Sequence, residues 1–324
     1  MALDSPPTLF KGLSAAVPTE MLTTNTPRKI AKVFSAIEMN EGVGARVHRS
    51  IGTHLLKHFS PFLMLDYAEV AEGQGFPDHP HRGQETVSYI LNGKLEHEDF
   101  AGNKGILQAG DLQFMTAGRG IVHSEMPLPS DDGSPSIGLQ LWVDLPENLK
   151  MSEPRYRDIH AKDIRDATAD DGKVKVKVIS GSSYEVESRD KDLSYTPVWY
   201  LDFTVQPGGR VKQPLPEGWN AFAYILSGSL IAQAQLVKKH YIATLEKDGD
   251  SFEVHVPEQA TEEARFILIA GLPLDQPVVQ HGPFVMTSQK DVRQAVTDFV
   301  SHTNGFERAK SWESQAERRR KSLS

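Results

Sequence analysis

Four side chains in two short clusters are the clearest chemistry in this sequence: His79-Pro80-His81 and His123-Ser124-Glu125. In an extended strand, residues i and i+2 point to the same face, about 6.6 Å apart, so each cluster can aim two donors at one point. Brought together, the two pairs supply three imidazoles and one carboxylate at the ~2.0 to 2.2 Å reach of a first-row metal. The chain contains no cysteine, which leaves imidazole and carboxylate as its strong metal ligands and excludes disulfides and thiolate chemistry. Any one of these histidines alone would read as a surface or hydrogen-bonded residue. Four donors in two i, i+2 pairs argue instead for one mononuclear site. Glu85 competes for a place in it, because its odd number gives it the strand parity of His79 and His81; it is read as a ligand or as an acceptor that orients an imidazole. His97, His240, His255, His281 and His302 lack a partner at ligand spacing and are read as structural or exposed. One metal per chain is the expectation.

Strands must hold these pairs. From Arg28 to about Leu145 short apolar runs alternate with glycine-bearing loops, including Gly73-Gln74-Gly75 and Gly118-Arg119-Gly120 just before the two histidine clusters. That pattern predicts many short strands and no long helix. Asn92-Gly93 suits a tight hairpin, since both residues tolerate positive φ. The result is an antiparallel sandwich or barrel. Tyr89-Ile90-Leu91-Asn92-Gly93-Lys94-Leu95 finds an echo in Tyr224-Ile225-Leu226-Ser227-Gly228-Ser229-Leu230, and two further matches follow in order: Gly110-Asp111 with Gly249-Asp250, and the run ending at Pro146 with the run ending at Pro273. A duplicated barrel is therefore expected. In the second copy Pro214 and Pro216 fall where the first has His79 and His81, and proline offers no side-chain ligand.

The predicted organisation is a loosely ordered extension over 1–27, a metal-binding barrel over 28–146, and a polar connection over 147–190. A second barrel without metal ligands spans 191–285, and a helix with a basic tail spans 286–324. Val292, Ala295, Val296 and Phe299 have helical spacing, with Asn304-Gly305 as a stop. Arg318-Arg319-Arg320-Lys321 reads as a solvated tail, with nuclear import as its other meaning. With 324 residues and a net charge of -8, two domains are affordable, and the acidic balance argues against direct nucleic-acid binding. No apolar run is long enough for a membrane span, so the chain reads as cytoplasmic, nuclear or both.

Phe76-Pro77-Asp78-His79-Pro80-His81-Arg82-Gly83, Glu85-Thr86-Val87-Ser88-Tyr89, His97-Glu98-Asp99-Phe100, Gly110-Asp111-Leu112-Gln113 and Met115-Thr116-Ala117-Gly118-Arg119-Gly120 closely resemble the signature of the pirin family. The likeness continues through Pro154-Arg155-Tyr156 and Asn304-Gly305-Phe306-Glu307. It implies an all-β bicupin, two antiparallel cupin barrels with a C-terminal helix, and iron(II) in the first barrel. Its ligands map onto His79, His81, His123 and Glu125. The general cupin pattern would place a ligand at Glu85, but the family resemblance favours Glu125. Manganese, nickel, copper and zinc also suit this donor set. Phe114 stands where pirins commonly carry Trp, close to the metal loop in sequence.

Two functions follow from the resemblance. One is a flavonol-cleaving oxygenase of quercetin 2,3-dioxygenase type. It would take a flavonol-like small molecule, with Glu125 accepting the 3-hydroxyl proton while dioxygen is consumed and carbon monoxide released, and with Phe76, Phe114 and Met115 lining the pocket. The alternative is a non-enzymatic, iron-dependent transcriptional co-regulator or redox sensor that acts through a protein partner. An open pocket at the metal favours the first, a sealed site the second.

Overall fold

The computed structural model describes residues 26–130, 132–190 and 192–322; the predicted extension lies outside them except for its last two residues. Short strands dominate, all paired antiparallel, and they form two cupin barrels. Each barrel has a seven-stranded sheet facing a four-stranded one.

In the first barrel the large sheet runs Arg155–Ile159, Leu112–Thr116, Gln84–Asn92, Ser136–Asp144, Phe62–Val70, Ala45–Ile51, Ile37–Glu41. The small sheet runs Phe76–His81, Ile121–Pro127, Lys94–Asp99, Lys104–Gln108. Period-two alternation divides the large sheet's side chains between two environments. Val87, Tyr89, Phe114, Leu139, Leu141 and Val143 point away from the barrel into a core shared with the other half. Ser88, Gln113, Gln140 and Trp142 lie between them in sequence and face the small sheet.

The second barrel repeats the plan with an apolar filling. Its interior contains Ala221, Ala223, Ile225, Phe203, Phe252 and Phe266. Its other face adds Tyr200, Phe222, Tyr224, Ile267 and Ile269 to the shared core. The matched hairpins both turn at a glycine with positive φ, +78° at Gly93 and +65° at Gly228. A Cβ would stand 2.5 Å from Ser136 Oγ in the first and 2.3 Å from Glu263 O in the second. Backbone conformation and close approach therefore both require glycine there.

Two strand-forming segments cross between the large sheets of the halves. Ile30–Ser35, early in the chain, pairs with Tyr241–Leu245 at the edge of the second large sheet. The stretch over 147–190 gives Arg155–Ile159 to the first sheet and Arg165–Ala169 and Val174–Ser180 to the second. Its lysines hide this at the sequence level: in Val174–Ser180 they alternate with Val174, Val176 and Val178, which are buried.

Helix α1, Gln289–Ser301, starts where the Ser288 side chain accepts from Asp291 N at 3.1 Å. It ends at His302 in left-handed geometry, two residues before Asn304-Gly305. Its Ala295, with Val122, Phe284 and Phe306, makes a small core on the outer side of the sheet that carries His79, His81 and His123. The basic cluster, read as a solvated tail, falls in a second helix, α2, Gln315–Ser322. Arg319 pairs with Glu96 there, and the backbone N–H groups of Ser314 and Gln315 donate to Asp78 and Glu98 at 3.1 and 2.8 Å.

Candidate metal centre

The strand Phe76–His81 pairs with Ile121–Pro127, placing His79 opposite His123 and His81 opposite Ile121. All have the same parity, so His79, His81 and His123 converge inside the barrel, with donor nitrogens within 4.8 Å of one another. Ring centroids lie 4.4 to 5.0 Å apart.

His79 Nδ1 donates to Pro77 O at 2.8 Å, which leaves its Nε2 free. His81 Nδ1 lies 2.8 Å from Gln84 Nε2, an amide donor, so Nδ1 accepts there and Nε2 carries the ring proton; turning the Gln84 amide so that its unpartnered oxygen accepts from Nδ1–H would free Nε2. The edge of His81 meets the Trp142 ring at 5.1 Å. His123 is 1% exposed and neither ring nitrogen has a hydrogen-bond partner. Burial, reinforced by the neighbouring imidazoles, holds His81 and His123 well below the usual histidine range. They are neutral at pH 7, with lone pairs available. A buried, neutral, partnerless imidazole beside two others fits a bound metal ion, which would satisfy the orphaned nitrogen.

Glu125 shares the inward face of His123 but stands outside this cluster. Its carboxylate accepts from Ser88 Oγ at 2.7 Å and from Gln140 Nε2 at 3.1 Å. Donors on one first-row ion lie within about 4.2 Å of each other, twice a ~2.1 Å bond, so joining the histidines requires this side chain to turn. Glu85 faces the opposite way. The turn at Arg82-Gly83 separates its strand from that of the histidines and resets the parity count. Its carboxylate accepts from Thr116 Oγ1 at 2.7 Å and from the Tyr195 and Thr196 amides at 3.0 to 3.2 Å, at the junction with the second half.

Of the three apolar residues expected around the pocket, Phe114 belongs to the shared core, Phe76 packs beside Ala45 and Val47, and Met115 faces inward with Ala117 and Ile121. The Trp-to-Phe departure thus concerns the contact between halves. Sequence reasoning missed His97. It lies directly across from Glu125, is buried, and contacts Gln113 Nε2 at 3.0 Å and the Tyr156 ring. Only strand pairing brings it there. An open cavity of about 390 Å³ lies beyond it, lined by His97, Gly102, Asn103, Lys104, Tyr156 and Asp158. His240, read as isolated, stands against His48 and Glu69. Burial, His48 and Lys239 bring its imidazole down to about 4.

Residues 44–143 match the family model described as Pirin, and residues 200–305 the one described as Pirin C-terminal cupin domain. Pirin of Homo sapiens is 46% identical over 293 residues, covering 89% of this chain and 98% of its own length. A pirin-like protein of Arabidopsis thaliana is 46% identical over 299 residues, covering 90% and 95%. The crystal structure of a quercetin 2,3-dioxygenase from Acinetobacter baumannii is similar at a TM-score of 0.78 and 30% identity, covering 86% of this chain and 98% of that one.

Proposed function

The chain belongs to the pirin family, and on that premise we propose that it is a metal-dependent oxygenase that cleaves flavonols in the manner of a quercetin 2,3-dioxygenase. The observation that carries this reading is the convergence of His79, His81 and His123 as buried imidazoles, one with both nitrogens unpartnered. They lie in a polar barrel, and a relative of similar fold is a quercetin 2,3-dioxygenase. In this reading the three histidines and Glu125 hold the metal. Iron(II) is the first choice, and manganese, nickel, copper or zinc suit the same donors. The bound ion supplies Lewis acidity toward the flavonol 3-hydroxyl and a place where dioxygen reacts.

The chain's own residues do the rest. Glu125, once turned toward the histidines, takes the hydroxyl proton as general base, and Ser88 and Gln140 hold its carboxylate in the turned-away position. The Pro77 carbonyl fixes the tautomer of His79, and the Gln84 amide, with its oxygen turned to Nδ1–H, would fix that of His81. The cavity beyond His97 has a volume in the range of small-molecule sites, but none of the four proposed ligands lines it, so in this reading a flavonol reaches the metal only when the path past His97 opens. Aerobic incubation of iron-loaded protein with quercetin tests the reading. Catalytic loss of the flavonol with stoichiometric carbon monoxide supports it, and iron-replete protein that releases none defeats it.

One observation favours a second reading, an iron-dependent co-regulator or redox sensor of cytoplasm and nucleus acting through a protein partner. His81, His123 and Glu125 are each at most 3% exposed, and α2 lies over the outer side of the sheet that carries them. Without flavonol turnover, a partner affinity that depends on the iron oxidation state becomes the expected property.

A further inference from the structure

Away from the first-barrel centre, the described residues bring one other group of metal-binding side chains together: His48, Glu69 and His240, with donor atoms within 4.8 Å of one another. The first two belong to the first half. In the pairing of Ala45–Ile51 with Phe62–Val70, His48 is opposite Tyr67 and Arg46 opposite Glu69, so His48 and Glu69 are diagonal neighbours on one face. His240 comes from the second half and reaches the same place across the seam. Its backbone is pinned there: its N–H donates to Ile225 O at 2.9 Å, and its carbonyl accepts from Ala36 N–H at 2.8 Å. Its φ of +63° is the left-handed conformation that a bulky residue enters only when held.

The donor atoms are gathered, and one ring must turn for both imidazoles to share an ion: the His48 and His240 rings stack at 3.9 Å with 10° between their planes, so their in-plane lone pairs run side by side, and Tyr67 meets both edge-on. His240 Nδ1 lies 3.1 Å from Tyr224 Oη. In the tautomer where Nδ1–H donates to that oxygen, Nε2 keeps its lone pair for a ligand, as in many metal-bound histidines. All three residues are half-buried, so water can complete a coordination sphere. Arg46 already balances the charge of Glu69, and a divalent ion would compete with it for the carboxylate.

We propose that His48, Glu69 and His240 form a second metal site, for a borderline divalent cation of the zinc, nickel or copper(II) class, whose occupancy ties the two barrels together. Two imidazoles and one carboxylate suit these ions and not calcium or magnesium. An ion bound by donors from both halves stabilises their association in proportion to its occupancy.

The test is zinc(II) binding to tag-free, metal-free full-length chain, read by elemental analysis after equilibrium dialysis and by the thermal midpoint. Wild type should bind one equivalent more than His48→Gln or His240→Asn, with the extra equivalent weakened at least about tenfold in either variant. Asparagine is chosen at position 240 because it tolerates left-handed backbone. Zinc should also raise the midpoint further in wild type than in the variants. If a variant is unfolded without metal, Glu69→Gln takes its place. Equal zinc stoichiometry in wild type and any folded variant overturns the proposal. The comparison is a difference of one equivalent at named residues, so its outcome is independent of what the first-barrel centre binds or does.

Discussion

His123 is the residue on which the metal centre turns, because it has no other employment: both ring nitrogens are buried and partnerless. His123→Ala should abolish tight metal binding while costing the metal-free protein little from lost hydrogen bonds. Its thermal midpoint should therefore no longer respond to added iron(II), as elemental analysis and calorimetry would reveal. Glu125 carries the sharper chemical prediction. Glu125→Gln keeps an oxygen for the metal and an acceptor for Ser88 but is a very poor base. General-base contributions are typically about 10² to 10⁴ in rate, so a metal-replete variant should bind flavonol and turn it over at least ~100-fold more slowly. Wild-type turnover would remove Glu125 as the base. The three histidines were legible because each pair is local and strand period is fixed. The setting of Glu125 was not, since it depends on Ser88 and Gln140, 37 and 15 positions away. Glu85 misled the parity count because a turn intervenes between it and His81.

Buried cations lock the elements around the centre, Arg82 foremost among them. Arg82 follows His81 and is 1% exposed. Its Nε donates to Arg119 O at 2.6 Å, one Nη to Asp298 Oδ2 at 2.6 Å, and the other to Asn304 O at 2.5 Å, while its guanidinium lies over the Phe306 ring. This ties α1 and the Asn304-Gly305-Phe306 turn to the strand that carries the histidines. Breaking one partner of a buried pair costs about 3 to 5 kcal/mol, so Asp298→Ala should lower stability in urea by that order. Burial alone would raise the Asp298 carboxyl, but bonds from Arg82, Gln294 and Asn304 outweigh it and hold the group below the usual carboxylate range. A carboxyl depressed in the folded state contributes stability that is fully present above its unfolded value, about pH 4, and is lost as pH falls through the folded one. Asp298→Asn should therefore flatten the acid limb of the stability profile and leave its slope above pH 5 unchanged. The end of α1 was readable to within a few residues from its apolar spacing. The partnership of Ile30–Ser35 with the second half was not, because an edge strand's register leaves no local mark.

At the scale of the molecule, the duplicated plan was visible in the repeated hairpin, but Pro214 and Pro216 are not the structural counterparts of His79 and His81: Pro214 is exposed, Pro216 lies beyond the strand Arg210–Pro214, and Gln213 takes the inward place. What fills that copy could not be read from those positions alone. Opposite Gln213 its strand pair sets Phe252, where the first barrel sets His123 opposite His79, and Phe252 belongs to a continuous apolar core. The second barrel acts as a solid support, and the face it shares with the first is equally apolar. Phe222, from the second half and fully buried, meets the Phe62 ring of the first at 5.1 Å and 89°, with Phe59 beside it. Tyr89 Oη donates to Asp202 at 2.6 Å across the same seam, and Arg265 holds Asp202 through two nitrogens at 2.7 and 3.1 Å. With a crossed edge strand and a common core, neither half keeps its contacts when the other unfolds. The metal centre should therefore be lost in the same cooperative transition as the second barrel. Phe222→Ala tests this coupling, since it removes a large side chain from the half that lacks His79, His81 and His123, at a cost of about 3 to 5 kcal/mol. The urea midpoint for metal release, followed spectroscopically on cobalt-loaded protein, should fall together with the midpoint for far-ultraviolet circular dichroism. Metal release unmoved by Phe222→Ala, while the second barrel unfolds early, would mean that the halves are energetically separate and that the shared core couples nothing.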